Sequence, residues 1–333
     1  WKYLQERNMP RAIYIAKTDE ENGDFNGAWQ TLREKFGRSV CPVMMTLWDE
    51  DKHIETLLDI VYRRAYQLEG KRRKEVPIPA DKQDVVDELY DQLCESVAET
   101  SEEFMEKSFS GEPFTQEKVI QGLHNGVMDL TSCPVVCGAA FTGLGTLTLL
   151  DCIIKLFPNP VEIPNRKGTD MHGNKVEIDI TEDGAPYAFV FKTTSDQYGR
   201  YSYIKVISGR LTPDMSVVNA RTGNITKLGH LYTMCGKKAT EVQEVCCGDI
   251  AAVSKLTDTR TNDSLCDPKH PVNLTAIPFP VANYTMAIAP KTKGQEDKVA
   301  NGLVRLSEED MTFHCVNNAE TRQMVLTGTG DIQ

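Results

Sequence analysis

Apolar residues in this chain come in short runs bounded by charge, with a few stretches at helical spacing between them. The run RAIYIA at 11–16 predicts a short buried strand, and the polar stretch AKTDEENGDF after it predicts a loop. Trp29, Leu32 and Phe36 fall three and four apart, which predicts a helix over 26–36, and a second short strand is expected at 41–47. Between 55 and 130 the character changes. A basic run, Lys71-Arg72-Arg73-Lys74, precedes VPIPAD, which predicts an extended turn. Val86, Leu89, Leu93 and Val97 then recur at helical spacing, with Asp81 and Asp84 near the start, so a long acidic helix is expected. A third strand over 132–137 leads into GAAFTGLG. Leu147, Leu150, Ile154 and Phe157 mark one apolar helix face that Pro158 and Pro160 end.

The stretch 158–186 is rich in Pro, Gly and charge and reads as a linker. From 187 to about 276 short strands dominate, among them AFVFKT, YSYIKVISG, MSVVNA and DIAAVSKL, each bounded by Gly, Asp or Asn. Regular turn signals of this kind predict a barrel or sandwich. The last segment runs strand (YTMAIAP), helix over 295–307, then strands TFHCV and RQMVLTG, the opening of an α+β sandwich. No internal repeat or low-complexity tract occurs.

The 333 residues suffice for two or three domains, and 40% hydrophobic with 26% charged residues is an ordinary globular balance. No run of about 18 apolar residues occurs. The first residues, WKYLQERNMPRAIYIA, do not read as a signal peptide, and a start without Met reads as a chain that begins inside a larger protein. A net charge of −11 argues against holding nucleic acid by charge alone and leaves room for selected patches on a ribonucleoprotein. Neither a membrane nor DNA is expected as a partner. Ten cysteines without paired metal-ligand spacing make a metal site unexpected and suggest a reducing, cytoplasmic setting. His53, His124, His172, His230, His270 and His314 stand apart from one another, with no triad spacing.

Two short motifs carry candidate chemistry, each directly after a predicted strand. The first is Ala16-Lys17-Thr18-Asp19. A carboxylate there can accept hydrogen bonds from the N1–H and the exocyclic amine of guanine, a donor pair adenine lacks. A Lys two residues earlier can lay its methylene stem over the ring, and ligands of open α/β sheets sit outside the carboxyl ends of strands. An ordinary polar turn uses the same residues. The second is Gly138-Ala139-Ala140-Phe141, where small residues let backbone N–H groups approach a base oxygen or simply make a tight turn.

The surroundings favour the chemical reading. RAIYIAKTDEENGDF resembles the guanine-specificity segment of elongation factor G, and VVCGAAFTGLGTLTLLDCIIKLFPNP resembles the second base-contacting loop of that family and the helix after it. The gap of about 120 residues between them is similar to the family's insert subdomain, and VPIPADKQDVVDELYDQLCESVAETSEEFMEKSFSGEPFT resembles its acidic helical stretch, which faces the ribosomal stalk protein. KGTDMHGNKVEIDITEDGAPYAFVFKTTSDQYGRYSYIKVISGRLTPD and GDIAAVSKLTDTRTNDSLCD resemble the family's β-barrel domain. PFPVANYTMAIAPKTKGQEDKVANGLVRLSEEDMTF and ETRQMVLTGTGDIQ resemble its third domain.

The resemblance implies a multidomain α/β plus β chain. The C-terminal part of a P-loop GTPase domain would occupy 1–157, with a helical insert at about 48–131. A linker at 158–182, a translation-factor β-barrel at 183–277 and a partial ferredoxin-like α+β domain at 278–333 would follow. It implies a parent protein that is a ribosome-dependent GTPase moving tRNA and messenger RNA, with GTP or GDP and magnesium as ligands and ribosomal RNA and the stalk protein as partners. A ribosomal protection GTPase and a degenerate, non-hydrolysing ribosome-binding paralogue are the alternatives. Lys17 would pack on guanine, Asp19 would bind its edge, and the Ala140 N–H would approach the base oxygen. No Gly-rich loop ending in Lys-Ser/Thr occurs, so these residues hold no catalytic group and are expected neither to bind nucleotide tightly nor to hydrolyse it alone.

Departures from the family pattern are concentrated. Ala16 stands where the family has Asn, and Ala139 where it has Ser. Loss of the Asn amide would remove about 1–3 kcal/mol from a buried site, about ten- to a hundredfold in affinity. A weakened but still guanine-preferring site is expected, because Asp19 remains. In the last segment Met311 replaces Pro, Arg322 replaces Gly, and Gly328-Thr329-Gly330-Asp331-Ile332-Gln333 replaces Gly-Met-Gly-Glu-Leu-His. The pattern suggests a diverged paralogue. The basic residues 72–74, and Lys291 and Lys293, are RNA-contact candidates or solvated charges.

Overall fold

The computed structural model describes residues 1–20, 23–48, 54–111, 113–196, 199–292 and 294–333. Glu21 and Asn22 of the acidic loop, His53 and Lys293 lie outside the described residues. The chain forms two compact units, Trp1–Pro158 and Asn159–Gln333.

The first unit opens with a short helix α1 (Lys2–Glu6) and strand β1 (Ile13–Ile15). Helix α2 (Phe25–Phe36) follows. Asp24 caps it by accepting the Gly27 N–H at 2.9 Å, and Arg33 and Lys35 in the last turn complement the helix dipole. The strand expected at 41–47 is two strands, β2 (Val40–Pro42) and β3 (Met44–Trp48). β3 opens an antiparallel meander with β4 (Ile54–Asp59), β5 (Arg64–Glu69) and β6 (Arg72–Val76), in the order β3-β4-β5-β6. The hydrophobic pattern predicts no strand at 54–76, where β4, β5 and β6 lie.

Helix α3 (Gln83–Ala98) buries the four residues its periodicity selected, Val86, Leu89, Leu93 and Val97, at about 1.5–3 kcal/mol each. Asp84, Glu88, Asp91, Glu95 and Glu99 line its exposed side. Helices α4 (Glu102–Phe109) and α5 (Gln116–Met128) begin at Ser101 and Thr115, whose hydroxyls accept the N–H of Phe104 and Lys118. Strand β7 (Cys133–Cys137) is buried at every position, as a central parallel strand should be. It lies between β1 and β2 and runs parallel to both. Helix α6 (Thr146–Leu156) closes the unit. Its predicted apolar face is corrected. Leu147, Leu150 and Ile154 are exposed, and the residues turned inward are Thr148, Cys152 and Leu156.

In the second unit, 158–182 differs from the expected linker. It carries β8 (Arg166–Asp170) and β9 (Lys175–Ile178), a hairpin that pairs through β8 with a later strand. The main sheet comes from β10 (Tyr187–Asp196), β11 (Gly199–Ser208), β13 (Ser216–Asn219), β14 (Ile225–Lys227), β15 (Leu231–Cys235), β16 (Lys238–Val242), β18 (Ile250–Ser254) and β19 (Ser264–Cys266). Its order is β14-β13-β19-β10-β11-β18-β15-β16. The short strands β12 (Arg210–Leu211) and β17 (Val245–Cys246) pair beside it, and β20 (Val272–Leu274) is the partner of β8. Alternate residues Ile204 and Val206 of β11 meet Ala188, Val190, Val217 and Leu265 in its core. The last segment is β21 (Tyr284–Ile288), α7 (Glu296–Glu309), β22 (His314–Asn318) and β23 (Gln323–Gly328), with sheet order β21-β23-β22. No helix among the described residues is long and apolar enough to cross a membrane.

Candidate base-recognition site

The two sequence motifs are brought side by side at the carboxyl ends of β1 and β7. The parallel register pairs Ile15 with Cys137, so the loops that leave these strands start level with each other. The Gly138 N–H donates to the Ile15 carbonyl at 3.1 Å, and the Thr18 N–H points to the Gly138 carbonyl at 3.5 Å. About 120 residues of intervening chain therefore do not separate Asp19 from Ala140 in space.

The first loop holds an uncommon backbone state. Lys17 has φ +58°, a left-handed conformation that costs a non-glycine residue about 1 kcal/mol or more and concentrates at functional loops. Its side chain is 75% exposed, and its ammonium stands 3.0 Å from Glu20 Oε1. An exposed pair of this kind adds little stability. It does hold the head of Lys17 aside and leave the methylene stem open. Ala16 is exposed, Asp19 half-buried, and Thr18 buried with no partner for its hydroxyl among the described residues.

The second loop is a tight turn. The Ala139 N–H donates to the Leu144 carbonyl at 3.0 Å, and the Gly143 N–H donates back to the Ala139 carbonyl at 2.8 Å. Ala139 is fully buried and Ala140 exposed. Among the described residues no acceptor meets the Ala140 N–H, so that donor is open to a ligand. Gly138 cannot carry a side chain here. A Cβ would come 2.5 Å from the Leu144 carbonyl oxygen and 2.6 Å from the Tyr14 hydroxyl. Gly145 has φ +83°, and a Cβ there would come 2.6 Å from the Cys137 carbonyl oxygen. These small residues let one turn fold back onto the strand end.

Ala16, Lys17, Asp19, Ala139 and Ala140, the residues the two motifs single out, all lie on these adjoining loops. Tyr14 of β1 is not among them, and its hydroxyl bounds the space beside Gly138. The available signal was a phenol in an otherwise aliphatic strand, IYI. Burial first, then the Cys137 thiol and the Asp19 carboxylate, push the Tyr14 phenol above its usual range.

The other candidates are dispersed. Arg73 of the basic run is an ion-pair partner of Asp151. His230 and His270 pair with Glu241 and Asp267, and no metal-binding group of His, Cys, Asp and Glu forms among the described residues.

Residues 186–268 match the family model for elongation factor G domain 2, and residues 278–333 match that for elongation factor G, domain III. Over 336 positions, the whole of this chain is 32% identical to elongation factor G of two strains of Ureaplasma parvum serovar 3. The chain is a relative of elongation factor G. It spans about half the length of these curated relatives, 49% of each. A crystal structure of a protein from Thermus thermophilus matches it with a TM-score of 0.83 at 26% identity, over all of this chain and 47% of that one. Both matched elongation factor G domains fall in the second unit, and the two candidate loops precede them in the first.

Proposed function

We propose that this chain is part of a ribosome-dependent GTPase of the elongation factor G kind, and that its first unit supplies the guanine-recognising side of the nucleotide site. One observation carries the reading. Two loops far apart in sequence meet at the carboxyl ends of adjacent parallel strands, with a half-buried carboxylate on one and an open backbone N–H on the other. Asp19 would accept the N1–H and the exocyclic amine, the Lys17 stem would cover the ring face, and the Ala140 N–H would donate to the base oxygen. Ala16 and Ala139 offer no side-chain hydrogen bond, so the site is weaker than one braced on both sides but keeps its preference for guanine. Phosphates and magnesium would be held by residues other than these. The resident ligand of the full-length protein would be GTP or GDP with magnesium, and its partners the ribosomal RNA and the stalk protein.

The domain assignment follows. The partial GTPase domain covers 1–157 with its insert at about 48–131, the barrel covers 183–277, and the partial third domain covers 278–333. In the full-length protein, nucleotide-dependent ordering of loops would drive domain motion during translocation in the cytoplasm. Ala16 and Ala139 favour one alternative, a paralogue that binds ribosomes without turnover. GTP turnover by the full-length protein, with and without ribosomes, separates the two. Ribosome-stimulated turnover is expected, and none at saturating GTP would leave the non-hydrolysing paralogue.

A further inference from the structure

Helix α7 ends against its own dipole. Its last turn carries Glu308 and Glu309 and no basic residue, where a helix C-terminus favours cations. None of its residues is buried, so little apolar burial holds it in place. The barrel strand beside it is also unfinished. β10 runs to Asp196, but β19 pairs with it only from Tyr187 to Phe189. The two incomplete edges meet. The buried Thr193 hydroxyl of β10 donates to the Glu308 carbonyl at 2.6 Å, one of the carbonyls that a helix end leaves unpaired. In return the Ser195 N–H donates to Glu309 Oε1 at 2.6 Å, so a helix carboxylate stands where a neighbouring strand would place a carbonyl. Arg200 of β11, fixed on the Thr259 carbonyl at 2.6 Å, brings its guanidinium 3.6 Å from Glu308 Oε2 and supplies the cation the helix end lacks. Behind this contact, the Asn262 amide accepts the Ile277 N–H at 2.9 Å and donates to the Ile277 carbonyl at 3.2 Å. From there to Asn283 the connecting chain is largely exposed.

We propose that the last turn of α7 is a two-way clasp, which seats the last segment on the barrel in an all-or-none manner about a pivot at Ile277. Seated, the barrel satisfies the helix end and the helix end satisfies the open edge of β10. Lifted, the Ser195 N–H and the Glu308 carbonyl lose their partners together, and Thr193 keeps only the Thr261 hydroxyl, at 3.3 Å. Two carboxylates are then left at the wrong pole of a helix, so the turn frays as the segment leaves. Polar contacts suit this part. Each group can exchange its protein partner for water at small net cost, and polar interfaces are those across which domains move. The clasp lies wholly in the second unit and does not rest on base recognition by the first.

The test is amide hydrogen exchange of the full-length protein, resolved to single residues and corrected for intrinsic rates, with Thr193→Val and Glu309→Ala. Each variant removes one half of the clasp and is read at the other half. Thr193→Val keeps the acceptor of the Ser195 N–H, yet exchange of that amide should rise about three- to tenfold. Glu309→Ala leaves the Thr193 hydroxyl in place and introduces the better helix former. The Asp310 amide, which closes the last turn on the Leu306 carbonyl at 2.9 Å, should nevertheless exchange faster by a similar factor. The amides of Ile204 and Val206 in the barrel core should keep their wild-type rates. An effect confined in each variant to the bond removed would mean two independent contacts and overturn the clasp. If Thr193→Val also speeds Ile204 and Val206, the barrel itself is damaged, and Glu309→Ala, which lies outside β10, decides: an unchanged or slower Asp310 amide overturns the proposal.

Discussion

Arg73 donates to Asp151 at 2.7 Å and thereby ties the last strand of the antiparallel meander to helix α6. The same nitrogen reaches the Thr148 hydroxyl at 3.2 Å, and the guanidinium lies 4.5 Å from the centre of the Tyr66 ring. The pair is partly exposed, so solvent weakens its Coulomb energy, and the stacking on Tyr66 adds a modest share. Arg73→Ala should lower the unfolding free energy by about 1 kcal/mol. A double-mutant cycle with Asp151→Asn in urea denaturation should show a coupling of about 0.5 kcal/mol or more. Strictly additive losses would mean that the arginine acts through packing alone.

What the sequence could and could not reveal follows from where each side chain ends up. Val86, Leu89, Leu93 and Val97 are all buried, so periodicity located α3 and its inner face together. In α6 apolar residues lie on both sides. Periodicity found the helix but chose Leu147, Leu150 and Ile154, which are exposed. The meander escaped notice because Leu57 and Leu58 are adjacent and both buried, which breaks the alternation that signals a strand, and because β6 is mostly charged. β8 and β9 are mostly exposed, so backbone pairing holds them without an apolar signature. The two adjoining candidate loops were legible through Lys17, Asp19 and the Gly-Ala-Ala run. The approach of the Tyr14 hydroxyl to Gly138 was not, because the two are more than a hundred residues apart.

Asp59 gives the first unit a pH dependence of unusual sign for a carboxylate. It is buried at the end of β4, and desolvation raises its pKa from 3.8 to about 6, against the opposing pull of the Tyr62 N–H, Arg73 and Lys155. The folded state therefore holds this proton more tightly than the unfolded chain. The contribution is complete below pH 4 and is lost as pH rises through about 6. The shift corresponds to at most about 3 kcal/mol. Asp59→Asn keeps an acceptor for Tyr62 and removes the titration. Urea unfolding between pH 4 and pH 7.5 should show the variant gaining on wild type as pH rises. Parallel curves would place the proton elsewhere.

Thr18 buries a hydroxyl that has no partner among the described residues, and burying such a group costs about 1–3 kcal/mol. Valine has nearly the same shape without the hydroxyl. Thr18→Val should raise the unfolding free energy by about 1 kcal/mol, read as a higher Tm. A lower Tm would show that the hydroxyl is bonded in solution.

Ala16→Asn restores a side-chain amide at the exposed end of the first loop. If the weakness of the site comes from its missing braces, GDP affinity of the full-length protein should rise about ten- to a hundredfold. Equilibrium titration with a fluorescent guanine nucleotide measures this directly. An unchanged affinity would mean that the loops are already held without that amide.

Asp19→Asn addresses the hydrogen-bond code itself. Guanine presents two donors to this residue, the N1–H and the exocyclic amine, and a carboxylate answers with two acceptors. A carboxamide answers with one acceptor and one donor, so its NH2 would face the amine donor to donor. Xanthine carries an oxygen where guanine has the amine, and it complements the carboxamide. The variant of the full-length protein should lose GDP affinity by about tenfold or more and gain affinity for xanthosine diphosphate by a similar factor, since the mismatch leaves a polar group unpaired in one case and repairs it in the other. Loss of both nucleotides together would indicate a collapsed loop, which an unchanged Tm would exclude. Unchanged preference for guanine would show that Asp19 does not read the base, and would leave the two adjoining loops as turns with no part in recognition.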